Sequence, residues 1–180
     1  GRVLSLVEPQ SREAVGLDIP DTMLAVARER VPDATLVQAD ATCNPAALQH
    51  RRFDFVTAFR FFLNAQPSLR EAAMAFLAST LRDGSSRLLF NVHGNRHSTR
   101  ALLAAKAMIT REQFASMSVR DSIQLAARYG LEVVEWYGIG SYDKSLLRLM
   151  PMRAWRWAEA VAPLPKRCNV YLYFLCRGMA

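Results

Sequence analysis

The residues of this 180-residue chain with the clearest chemical use are two aspartates, each closing a short apolar run. Ala14-Val15-Gly16-Leu17 stops at Asp18, and Thr35-Leu36-Val37-Gln38-Ala39 stops at Asp40. A carboxylate just past one strand of a parallel sheet can accept both hydroxyls of a ribose, and one past the next strand can accept from an exocyclic amine. Together they describe an adenosine. A single aspartate after a strand is more often a turn or cap residue, so the ligand reading rests on the pair. Nicotinamide-dinucleotide folds also place an acid after the second strand, which leaves the cofactor open at this point. Further on, Phe59, Arg60, Phe61, Phe62 and Asn64 follow a third apolar run, and His93 closes a fourth. A guanidinium can hold an anion, aromatics can pack on a ligand, and Asn64 can donate or accept. An unperturbed imidazole titrates near neutrality, so His93 is a candidate for proton transfer, although a lone histidine at a strand end more often has a structural role. Phe62 has an equally good use as a core residue.

These side chains need elements to hold them. Between the two aspartates Pro20 and Asp21 open a helix, Met23, Leu24, Val26 and Ala27 give it an apolar face, and Pro32-Asp33 close it. A strand, a helix and a parallel strand form a right-handed unit whose ligands sit beyond the carboxyl ends of its strands. Residues 44–52 read as a polar connection with a short irregular helix, and Phe53 to Phe59 as a buried strand. Ser68 with Glu71 reads as a capping box for a helix running to Leu81, with Gly84 as its left-handed cap. Arg87 to Val92 is the next strand, delivering Asn91 and His93 to its end. Ser118 with Asp121 opens another helix that Gly130 stops. Leu131 to Tyr137 and the aromatic-rich Asn169 to Cys176 read as the last strands. Two stretches exceed a minimal sheet and are expected to be helical lid segments: about 94–117, with a helix capped by Ser98, and 138–165, rich in Leu and Trp. The second could serve as a substrate roof, a homodimer face, a membrane-surface contact or plain packing over the sheet edge.

Taken together, the run from Ala14 to Arg28, Val37-Gln38-Ala39-Asp40-Ala41, Phe53 to Phe62 and Leu81 to Phe90 resembles, in the same order, motifs of the class I S-adenosylmethionine-dependent methyltransferases. The resemblance implies one α/β domain over residues 1–180. Its Rossmann-like, mostly parallel sheet would be flanked by helices and end in an antiparallel strand that forms a hairpin with the sixth. It implies S-adenosyl-L-methionine as cofactor, with Asp18 on the ribose, Asp40 and Ala41 on the adenine edge, and Ile19 and Met23 packing nearby. Phe59 and Arg60 would line the cofactor, while Phe61, Asn64 and His93 would face a small-molecule methyl acceptor. His93 is the candidate base wherever that acceptor must lose a proton. The family's first strand ends in a glycine-rich turn, and no such turn precedes Glu13. Gly1 to Pro9 lies too close to Val15 for a parallel crossover, which needs about a dozen residues. It reads instead as a helix over Val3 to Val7 ended by Pro9, with Gly1 resembling the last glycine of that turn. The expectation is a family member without the first strand and most of the turn. The rival is an inactive remnant acting through its Trp-rich surface.

Composition bounds these readings. A hydrophobic fraction of 51% suits a globular core, and no uninterrupted apolar run is long enough to span a bilayer. Glu8 and Pro9 interrupt any secretion-type start, so a cytoplasmic location is the default. Cys43, Cys168 and Cys176 are scattered without metal-ligand spacing and read as free thiols, with no metal site. The net charge of +7 comes mostly from arginine and can simply reflect a GC-rich genome, with an anionic substrate or nucleic acid as the second reading. The basic residues are dispersed, however, and Phe59-Arg60-Phe61-Phe62 stands where amine-modifying DNA methyltransferases carry Asn or Asp, two prolines and an aromatic. Nucleic acid is therefore disfavoured, and an RNA methyltransferase is the weaker alternative.

Overall fold

Parallel strands joined by helices appear where apolar runs alternate with helical periodicity. The computed structural model describes residues 1–43, 45–62, 65–93, 95–98, 101, 116–140, 151–161 and 165–179. Asn44, Asn64, nearly all of the helix expected after Ser98, and residues 141–150 lie outside the described residues. The chain divides into two compact units, Gly1–Arg51 and Arg52–Ala180.

In the first unit, α1 (Leu4–Val7) runs into a 3-10 turn over Glu8–Gln10. Pro9 therefore does not end the helical stretch. It sits in the first turn of the 3-10 segment, where its missing N–H costs nothing, and Ser11 is the first extended residue. β1 (Val15–Asp18), α2 (Asp21–Arg30) and β2 (Thr35–Gln38) follow, with β1 and β2 parallel in a register from Val15↔Thr35 to Asp18↔Gln38. Leu24 and Ala27 of α2, with Val31 just beyond it, are buried.

The second unit is a four-stranded sheet of order β3-β4-β6-β5, built from β3 (Phe55–Ala58), β4 (Arg87–His93), β5 (Leu131–Ile139) and β6 (Tyr171–Gly178). β3 and β4 are parallel, and β6 runs antiparallel to both β4 and β5, as the hairpin expectation required. The carboxyl ends of β3, β4 and β5 thus share one edge with the start of β6. Among the described residues its helices include α3 (Pro67–Ser79), α4 (Val119–Arg128) and α5 (Met152–Val161). Alternation puts Leu88, Phe90 and Val92 of β4 and Leu172, Phe174 and Cys176 of β6 in one core with Phe62, Met74 and Leu125. Phe90 stacks on Phe174 at 5.0 Å and meets Phe62 at 5.2 Å. Burial pushes the Cys176 thiol up to about 12, which makes it an inert core residue. Gly138 of β5 is where backbones meet: a Cβ there would lie 2.3 Å from the Lys166 carbonyl oxygen, so no side chain fits. Among the described residues no helix is long and apolar enough to cross a membrane.

Two helix ends differ from expectation. α3 starts at Pro67, with Gln66 as a cap that makes no side-chain bond, so Ser68 lies inside the first turn and the Ser68–Glu71 box does not form. Proline pre-sets the first helical position one residue earlier, and Glu71 pairs with Arg128 instead. α3 also stops at Ser79, short of Leu81. Gly84 is not its left-handed cap. Asp83 builds a separate turn, its Oδ1 accepting from the Ser85 N–H at 2.8 Å and the Ser85 hydroxyl at 2.6 Å. At α4 the expected box is present: Ser118 Oγ accepts from the Asp121 N–H at 3.1 Å, and Asp121 Oδ2 accepts from the Ser118 N–H at 2.8 Å. Gly130 closes that helix at φ 70°.

Asp121 also faces Arg96 at 3.3 Å, in a cleft of about 130 Å³ lined by Arg70, Arg128 and Glu71 as well. Burial alone would raise its carboxyl, but the Ser118 hydrogen bonds and the Arg96 and Arg70 charges outweigh it and hold the group below the usual carboxylate range. A depressed carboxyl stabilises the fold above its unfolded pKa of about 4, and that contribution is lost as pH falls through the lower folded value. Asp121→Asn is therefore expected to lower denaturant stability at neutral pH and to converge on the wild type in acid. Curves offset equally at both pH values would contradict this.

Candidate functional site

In the first unit the two aspartates stand at the ends of adjacent parallel strands. Asp18 closes β1, half-buried, and its Oδ1 accepts from the Ile19 N–H at 2.9 Å. Gln38 Nε2 donates to the Ile19 carbonyl at 3.1 Å and ties the two strand ends together. Asp40 follows β2, and its Oδ1 accepts from both the N–H and the hydroxyl of Thr42 at 2.8 Å each. This is the turn role that aspartates often take, and it aims the carboxylate while engaging only one of its oxygens. Ile19 and Met23, 55% and 51% exposed, leave apolar surface beside Asp18, and Ala41 begins the short 3-10 turn Ala41–Cys43. Acceptors for two hydroxyls and an amine, with open apolar surface next to them, are what an adenosine needs. The donor set fits. Gly1 is exposed and packs against α2, where a Cβ would lie 2.9 Å from Ala27 Cα.

In the second unit the edge at the end of β3 and β4 is held by a buried amide. Phe59 and Arg60 follow β3, and Arg60 adopts φ 62°, the one positive value among described residues other than glycine. Such a conformation costs of order 1–3 kcal/mol and persists only where surroundings impose it. Here Asn91, 2% exposed, accepts the Arg60 N–H on its Oδ1 at 2.8 Å. Its Nδ2 lies 3.3 Å from His93 Nδ1. Antiparallel register sets Asn91 opposite Tyr173 and His93 opposite Tyr171. The Tyr171 ring meets His93 edge-on at 4.6 Å, and Phe59 lies 6.0 Å from Tyr173.

Of the residues expected here, Phe59, Arg60 and His93 thus join one hydrogen-bonded and aromatic cluster. Phe61 is half-buried, edge-on to Phe62 at 5.2 Å, and Phe62 is wholly buried in the core, the plainer of its two uses. Asn64 lies outside the described residues. Asn91, Tyr171 and Tyr173 were not among the expected site residues. The alternation of Tyr171 and Tyr173 on one strand face was the available signal for the two tyrosines. Among the described residues no group of three His, Cys, Asp or Glu is placed to hold a metal ion.

Residues 1–84 match a family described as a methyltransferase domain. No curated protein matches the sequence. Solved structures resemble the whole chain at low identity. A S-adenosylmethionine-dependent methyltransferase from Clostridium acetobutylicum aligns with TM-score 0.69 and 8% identity over 100% of this chain and 80% of its own. A putative methyltransferase from Bacillus halodurans aligns with TM-score 0.67 and 15% identity over 100% and 89%. Magnesium protoporphyrin IX methyltransferase from Synechocystis, solved with bound S-adenosylhomocysteine, aligns with TM-score 0.62 and 12% identity over 98% and 68%.

Proposed function

We propose that this chain, whose residues 1–84 match a methyltransferase-domain family, transfers a methyl group from S-adenosylmethionine to a small-molecule acceptor in the cytoplasm. The observation that carries the reading is the pair Asp18 and Asp40 at adjacent parallel strand ends, beside exposed Ile19 and Met23. S-adenosylmethionine supplies an electrophilic methyl on a sulfonium. The chain's own residues bind and orient. Asp18 accepts the ribose hydroxyls, Asp40 and Ala41 take the adenine edge, and Ile19 and Met23 cover the ring. The resemblance assigns Phe59 and Arg60 to the cofactor as well. Phe61, Asn64 and His93 contact the acceptor. Displacement at a sulfonium asks mainly for alignment and exclusion of water, which suits an edge built from aromatics and the buried Asn91 amide. Three unpaired thiols support a reducing compartment.

The test is a transfer assay with methyl-labelled cofactor against pooled carboxylate, phenol and amine metabolites, with transfer RNA in parallel. Label in the small-molecule fraction supports the proposal. Label confined to RNA, lost steeply with added salt, would replace it with the nucleic-acid reading.

A further inference from the structure

We infer that Asn91 is the positioning residue of the acceptor edge: it fixes His93 as a neutral imidazole carrying its proton on Nε2, a hydrogen-bond donor rather than a base. The inference rests on the reading of His93 as an acceptor-facing residue. A side-chain amide has one end that accepts and one that only donates. The backbone N–H of Arg60, 2.8 Å away, can only donate, so the oxygen of Asn91 must lie on that side. The nitrogen then faces His93 Nδ1 at 3.3 Å. An amide nitrogen accepts nothing, so Nδ1 is the acceptor. An imidazole whose Nδ1 accepts carries its proton on Nε2.

Burial and hydrogen bonding keep the amide from turning over. Asn91 is 2% exposed, so its side chain is packed on every side. A flip would set an N–H against the Arg60 N–H in a backbone already at φ 62°. It would also leave a buried donor without a partner, at a cost of about 1–3 kcal/mol. Tyr171 packs edge-on against the imidazole at 4.6 Å and 80°. The role expected of His93 from sequence therefore changes in kind. A base at this position would need Nδ1 free or Nε2 unprotonated, and Asn91 opposes both. A fixed Nε2–H suits an acceptor whose nucleophilic atom arrives with its lone pair available, of which a carboxylate is the simplest, and no proton then has to be removed.

The test reads the ring directly. Long-range proton–nitrogen NMR of uniformly labelled protein at about pH 8, above the ordinary imidazole value near 6.5, distinguishes the two neutral tautomers, with His93 assigned by its loss in His93→Gln. The expected pattern is Nδ1 unprotonated and Nε2 protonated. Asn91→Asp keeps an oxygen for Arg60 and places a second against Nδ1, so the proton is expected to move to Nδ1. A wild-type ring protonated on Nδ1, or an unchanged pattern in Asn91→Asp, would overturn the inference. If Asn91→Asp fails to fold, the wild-type tautomer alone decides. The measurement uses neither cofactor nor acceptor, so a failed transfer assay and a failed tautomer assignment are separate results.

Discussion

Asp18→Ala is expected to weaken binding of S-adenosylhomocysteine by roughly 10- to 150-fold, since hydrogen bonds to a charged group contribute about 1.5–3 kcal/mol and 1.4 kcal/mol is tenfold. The residue closes β1, and its side chain accepts the local Ile19 N–H, while its backbone carbonyl accepts from Ala39, so truncating the side chain leaves the parallel ladder with β2 untouched. Folding should therefore survive and affinity should not. Asp21 is the control. It carries the same charge three residues on, but it is exposed in the first turn of α2 and faces Arg28 at 3.4 Å. Asp21→Ala is expected to bind as the wild type does in the same calorimetric titration. Equal losses in both variants would mean that net charge, and not the place of Asp18, governs affinity.

Phe90→Ala is expected to cost about 3–5 kcal/mol of unfolding free energy, the range for removing a buried aromatic ring. Phe90 is wholly buried between Phe62 and Phe174, stacked on the latter with an 18° interplanar angle, and the neighbouring strands cannot close over the space it leaves. Against a typical total of about 5–15 kcal/mol, that loss leaves the second unit marginal. Phe55, also on the four-stranded sheet but 43% exposed, provides the comparison, and Phe55→Ala should cost well under that amount. Urea denaturation followed by tryptophan fluorescence reads both. A Phe90→Ala loss no larger than that of Phe55→Ala would contradict the core described above.

The legible parts of the fold were those written in local periodicity. Residues 14–40 give strand, helix and strand because an apolar run, a proline-led helix and a second run leave few other arrangements, and the antiparallel last strand followed from the resemblance. The same capping pattern succeeded at Ser118 and failed at Ser68, and the difference is local: Pro67 takes the first helical position and moves the start away from the serine. The end of α3 misled in a similar way, because Asp83, able to gather four donors, forms its own turn ahead of any glycine cap. The cluster around Asn91 was legible only in part. His93 and Arg60 could be placed at strand ends, but the bond between Arg60 and Asn91 joins residues 31 apart, and the left-handed backbone at Arg60 has no signature in an arginine. Long-range pairing selects such conformations, and neighbouring residue types do not record it.

The claim at the centre of this account is that the edge formed by Asp18 and Asp40 holds an adenosine. The most direct measurement is methyl-labelled NMR of the isoleucines and methionines during titration with S-adenosylhomocysteine. Ile19 and Met23, exposed beside Asp18, are expected to shift with the ligand, while Ile123 on α4 and the core residue Met117 stay in place. A titration that leaves Ile19 and Met23 unmoved, or that moves only Ile123 and Met117, would contradict it.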